Sequence, residues 1–194
     1  MKLTLNHSFP EQSSSQHLLI LVDANALQNV QSAYQINDFQ QAIDATQFTA
    51  SLNESLPLIG KIAVQSNSAL LGLGKAEELK TAKLAKIAQS IIKASQKKFQ
   101  QISVDISALP QELHYVFALS LTQAAYAYDE YKSKKNEFVL TQIDLIAAQS
   151  SLNDAQLSLI AAVEKGQTTA RDLANCPPNI CFPEYLADQA IQLA

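Results

Sequence analysis

The sequence predicts an α/β fold: a mixed, largely parallel sheet flanked by helices on both faces. Three observations carry this. Helix-like and strand-like patterns alternate along the chain. Several strand-like stretches, above all Leu18-Leu19-Ile20-Leu21-Val22, are short continuous apolar runs that suit strands covered on both faces. The chain has 194 residues, 47% hydrophobic and 16% charged, enough to bury one sizeable core with some chain left over.

The elements follow in order. Lys2–Leu5 places Leu3 and Leu5 on one face of a first strand, and residues 11–16 are polar and Ser-rich, a loop. The apolar run 18–22 is the second strand. Ile43 and Phe48, with Phe39 before them, recur at loosely helical spacing and predict a helix over 38–52. Pro57 and Gly60 punctuate the chain before two strands, 61–65 and 69–73, joined by a turn at Ser66-Asn67-Ser68. After Gly74 a helical pattern runs to residue 98. Leu79, Ala82, Ala85, Ala88, Ile91, Ile92 and Ser95 line one side, and Lys80, Lys83, Lys86, Lys93, Lys97 and Lys98 largely the other. Ile102, Val104 and Ile106 alternate with polar residues, a strand over 101–106. Pro110 opens a helix with apolar positions Leu113, Val116, Phe117, Leu121, Ala124 and Tyr128. A charged loop, 129–137, leads to a last strand at 138–143. A helix over 153–175 follows, with Leu157, Ile160, Ala161, Thr168 and Leu173 inward and Gly166 a local weakness.

Composition closes several classes. Fourteen basic residues against 18 acidic leave a net charge of −4. Arg171 is the only Arg, so the residue best suited to bidentate phosphate and guanine contacts is nearly absent. This disfavours nucleic acid as a partner for the chain alone, and negative charge disfavours an anionic membrane surface. No apolar run approaches the roughly 18 residues of a membrane span, and the N-terminus lacks a signal-peptide core, which predicts a cytoplasmic protein. In a reducing compartment Cys176 and Cys181 read as two ordinary thiols; their C-x4-C spacing without a second ligand pair is a weak zinc signal.

Little in the body of the chain carries chemistry. Gly72-Leu73-Gly74-Lys75 lies between a strand and a helix, where a phosphate loop would sit. A dinucleotide fingerprint would need glycine at Glu77, and a Walker loop fails at Ala76. A tight turn is the favoured reading and a phosphate cradle the alternative. His7, His17 and His114 are far apart and read as surface or boundary residues. The pairs Glu77-Glu78 and Asp129-Glu130 point in different directions along a helix and read as solvated. Ser13–Ser15 and Ser150-Ser151 have no nearby base and read as caps or loops. The lysine face of 76–98 reads as solvated, with docking of an acidic partner as the alternative.

The end of the chain is specific. A helix carrying Arg171 and Asp172 stops at Asn175 before Pro177-Pro178, and a new helix begins at Pro183-Glu184-Tyr185-Leu186. It still looks helical at Ala194, a pattern that predicts continuation. Arg171-Asp172-Leu173-Ala174-Asn175, Pro177-Pro178-Asn179 and Pro183-Glu184-Tyr185-Leu186-Ala187 closely resemble the interdomain junction of the leucyl aminopeptidase, or cytosol aminopeptidase, family. Leu70–Lys75 and Tyr126–Lys135 resemble that family's strand-to-helix turn and charged loop, so the resemblance spans essentially the whole chain. Its specificity sits in residues 168–187, with Phe182 a minor departure.

The resemblance implies a macro-domain-like N-terminal α/β domain at 1–150, a linker helix at 151–175 and the start of a catalytic domain at 176–194. It implies a parent peptidase with two divalent metals, Mn or Zn, which removes N-terminal residues, Leu preferred, and assembles as a hexamer. The two-metal motifs of the family are absent, so no catalytic, metal-binding or cofactor-binding residue is assigned here and the chain alone is expected to be inactive. Its partners would be its own catalytic domain and further copies, with peptide substrate met only through that domain. Its role would be assembly or regulation. The alternatives are a free-standing macro-like module for a nucleotide or ADP-ribose, and, more weakly, nucleic-acid binding by the parent hexamer.

Overall fold

The structure is a computed structural model that describes residues 1–7, 16–23, 39–59, 68–135, 137–147 and 149–193. Six strands form one sheet: β1 (Lys2–Asn6), β2 (Gln16–Val22), β3 (Ser55–Leu58), β4 (Ser68–Gly72), β5 (Gln101–Asp105) and β6 (Gln142–Ile146). Their order across the sheet is β1-β6-β5-β2-β4-β3. All neighbours run parallel except β3 and β4. Among the described residues five α-helices accompany it: α1 (Phe39–Thr46), α2 (Thr81–Ser95), α3 (Gln111–Ala124), α4 (Asp154–Asn175) and α5 (Pro183–Leu193), with a short 3-10 turn at Ala76–Glu78. This is the predicted mixed, mostly parallel α/β architecture.

The apolar run in β2 explains the layering. Successive side chains of a strand alternate faces. Leu19 and Leu21 join the larger core with Leu84, Ile87 and Ile91 of α2, Phe117 and Leu121 of α3, and Ile160 of α4. Ile20 and Val22 join the smaller core on the other face with Phe39 and Ile43 of α1.

Several boundaries differ from expectation, each for a tertiary reason. The helix predicted over 38–52 stops at Thr46; Gln47, Ala50 and Asn53 take left-handed φ values of 53°, 56° and 63°. That turn drops Phe48 and Ala50 into the smaller core. The antiparallel neighbour of β4 is β3, where Pro57 pairs with Ala69. Proline is tolerated there because β3 is an edge strand, and its presence disguised the strand. The strand predicted at 61–65 and its turn at 66–67 lie outside the described residues.

The pattern 76–98 divides into the 3-10 turn and α2. Leu84 and Ile87, not Ala82 and Ala85, face the core. Tyr128 lies beyond the end of α3, and Ala161 of α4 is exposed. Pro110 sits one position before α3 with ψ of 136°, so the helix starts at Gln111.

The last strand is 142–146, not 138–143. Val139 and Leu140 donate instead to the Gln96 carbonyl at the end of α2, which leaves Phe138 exposed. Asp144, 1% exposed, then sits mid-strand. It accepts from the Thr4 hydroxyl of β1 and from the Gln101 and Gln142 amides. Three donors offset what burial of a carboxylate costs.

Candidate functional site

The turn after β4 is built from glycine for steric reasons. A Cβ on Gly72 would lie 2.1 Å from the Ser51 carbonyl oxygen, and Gly74 has φ of 74°. The amides of Gly72, Leu73 and Gly74 donate to the carbonyls of Glu54, Val22 and Ala50 at 2.8, 2.8 and 2.9 Å. They have no hydrogen left for a phosphate, so the geometry is that of a tight turn. Glu78 pairs with Lys83, whose hydrogen bond and charge hold its carboxyl below the usual range. The remaining lysines of α2 are exposed.

The histidines are dispersed as expected, but His114 is 1% exposed, deeper than a boundary residue. Its Nδ1 meets the Ser150 hydroxyl at 2.9 Å and its Nε2 the Leu109 carbonyl at 3.0 Å. It ties the start of α3 to the segment before α4. The expectation that Ser150-Ser151 has no nearby base fails at Ser150, which the fold brings to His114; Ser150 also accepts from the Leu152 amide, and Ser151 donates to the Gln111 carbonyl. Among the described residues, no three His, Cys, Asp or Glu side chains are grouped to hold a metal ion. Those residues do not supply the donor set that a pair of metal ions requires.

The densest constellation lies where the resemblance placed it, at the end of α4. The sole Arg spreads its guanidinium over the Tyr126 ring, 5.2 Å from the centroid, a cation–π contact, and reaches toward the Gln123 carbonyl. The Tyr126 hydroxyl donates to Asp172 at 2.8 Å and accepts from Asn175 at 3.1 Å. Arg171, Asp172 and Asn175 thus clamp the last turns of α4 onto the loop leaving α3. This gives the Arg-Asp-Leu-Ala-Asn string a mechanical meaning. Tyr126, which sequence reasoning took only as part of a charged loop, is its hub.

Beside the clamp lies a cleft of about 230 Å³ between α4, α5 and the 126–131 loop, lined by Tyr128, Glu130, Asp172, Cys176, Tyr185 and Gln189. Burial first, then negative neighbours, raises the phenols of Tyr126, Tyr131 and Tyr185. Tyr128 is pushed up to about 12, by burial and then by the charge of Cys176. No described His meets a nucleophile here, so the cleft lacks the base that thiol acyl transfer needs. From Pro183 to Gln192 no residue of α5 is buried; Leu186 and Ile191 are exposed.

Comparison with known proteins places these features. Residues 21–135 match the family model described as the cytosol aminopeptidase family, N-terminal domain. The whole chain is 61% identical to a probable cytosol aminopeptidase of Acinetobacter baumannii, of which it covers 40%. One from Mannheimia succiniciproducens is 31% identical over 150 residues, 70% of this chain and 31% of that protein. The chain therefore spans less than half the length of these relatives. In fold, it resembles a mutant of tomato leucine aminopeptidase (TM-score 0.72, 17% identity, covering 100% of this chain and 42% of that one). It also resembles the bottromycin maturation enzyme BotP in complex with Mn (TM-score 0.67, 19% identity, 94% and 36%). The chain belongs to the cytosol aminopeptidase family, whose N-terminal domain it contains.

Proposed function

We propose that this chain is the non-catalytic N-terminal part of a two-metal aminopeptidase that removes N-terminal residues, leucine preferred, from peptides. Residues 1–150 form a macro-like domain, 151–175 the linker helix, and 176–194 the first part of the catalytic domain. The observation that carries this reading is α5: a helix without a buried side chain from Pro183 to Gln192, following the clamped end of α4 in a chain that spans 40% of such a relative. The manganese or zinc pair belongs to the remainder of the protein. The parent is a cytoplasmic hexamer, and this domain serves its assembly or regulation.

The test is hydrolysis of leucine p-nitroanilide with added Mn²⁺, by this chain and by the gene product read through beyond Ala194. Turnover by the longer protein alone is expected. Turnover by the 194-residue chain itself, at the same rate per molecule, would overturn the reading. The ADP-ribose module draws no support from the Gly72–Gly74 turn, whose amides are already engaged; calorimetry with ADP-ribose checks it directly.

A further inference from the structure

The turn between α4 and α5 folds two cysteines that the sequence separates by five positions back onto one carbonyl. α4 ends at Asn175, and the Cys176 amide donates to the Leu173 carbonyl at 3.4 Å. Pro177 and Pro178 stop the helix. The amides of Ile180 and Cys181 both return to the Pro177 carbonyl at 2.9 Å, which folds the segment back on itself. As a result the Cys181 thiol donates to the same Leu173 carbonyl, at 3.8 Å. One carbonyl is thus met by the backbone of one cysteine and the side chain of the other. Both thiols are free and half-buried.

The surroundings distinguish them. Cys176 lines the open cleft, whereas Cys181 does not appear in its wall. The Tyr128 hydroxyl oxygen on that wall is buried without a hydrogen-bond partner. It lies beside Cys176, whose charge adds to burial in raising that phenol. Burial, then the charge and hydrogen bond of Cys176, raises the Cys181 thiol. Cys176 is therefore the member that faces the cleft.

We propose that Cys176 and Cys181 form a peroxide-responsive thiol pair that closes into a disulfide and staples the α4–α5 turn. The Cys176 thiolate attacks a peroxide oxygen: an S–O bond forms, the O–O bond breaks, and the departing hydroxide takes up the proton released by the thiol to leave as water. The sulfur of Cys181 then attacks that of Cys176: the S–S bond forms, the S–O bond breaks, and a second water leaves. Two thiols lose two electrons and two protons, and hydrogen peroxide accepts both. Closure joins the end of α4 to the residue just before α5, restricting the angle at which α5 departs.

The test treats the whole chain with stoichiometric hydrogen peroxide at neutral pH, blocks remaining thiols with N-ethylmaleimide, and reads intact and peptide masses. Loss of two hydrogens, no maleimide uptake, and a single linked peptide spanning both cysteines are expected, with reversal by dithiothreitol. In C181S the reaction should stop at a Cys176 sulfenic acid that dimedone captures. In C176S, Cys181 should remain open to maleimide. Linkage should be about tenfold or more faster in the folded chain than in guanidinium, because the turn folds both cysteines onto one carbonyl. Uptake of two maleimides after peroxide, equal rates folded and unfolded, or dimedone capture of Cys181 in C176S would each overturn the proposal.

Discussion

Gly72 and Gly166 serve opposite purposes, and substitution separates them. At Gly72 an added methyl group meets backbone oxygen at 2.1 Å, which no rotamer change relieves. G72A should cost about 3 kcal/mol or more in urea unfolding, at the upper end of overpacking. At Gly166, on the exposed side of α4, an added Cβ meets nothing within 4 Å. G166A should stabilise by about 0.5–1 kcal/mol through helix propensity. A destabilised G166A would refute this account of the helix. Tyr126 is a third case. Y126F removes a hydroxyl that serves Asp172 and Asn175 but leaves the ring under Arg171. The partners are half-buried or exposed, so water replaces part of the loss, and about 1 kcal/mol is expected, with faster amide exchange in the last turns of α4. Unchanged exchange there would mean the clamp is ornamental. Asp144 marks the limit of reading single residues: a lone carboxylate amid Ile143 and Leu145 argues against a strand, and its partner Thr4 is 140 positions away.

α4 is little supported by packing for its length. Of its 22 residues only Ile160 is buried, so local terms must carry much of its stability. Its start is a capping box: Asn153 accepts from the Gln156 amide at 2.9 Å, and Gln156 accepts from the Asn153 amide at 3.0 Å. N153A should cost about 1 kcal/mol, and hydrogen exchange should show the first turn of α4 fraying. No change in the protection of that turn would contradict the box. Elements with strong periodicity, such as α3, were legible because their apolar positions are their own signal. β3 and β6 were not. Pro57 is compatible only with the edge position that tertiary order assigns, and the start of β6 depends on whether residues 138–141 pair with a strand or with the end of α2.

At the scale of the molecule, four tyrosines gather where the loop after α3 meets α4 and α5, all raised above their ordinary value by burial first. The sign follows by linkage. A phenol whose folded pKa is raised loses its proton first in the unfolded chain, so its contribution is complete below about pH 10. It is lost as pH rises through the folded values, to about 12 for Tyr128. Phenolate absorbance of the folded chain should therefore show a late step near that pH, absent in Y128F, with stability falling as pH climbs beyond 10. A single phenolate step near 10 in the folded chain would sink the idea.

The sequence by itself determined the fold class, the two-faced burial of β2, and the family through the string at 171–179, because periodicity and local motifs are properties of neighbouring residues. Only the tertiary structure decided the strand order, the edge position of Pro57, the polar seat of Asp144, the Tyr126 clamp and the return of Cys181 to the Leu173 carbonyl. Each depends on contacts between positions that become neighbours only when the backbone has folded.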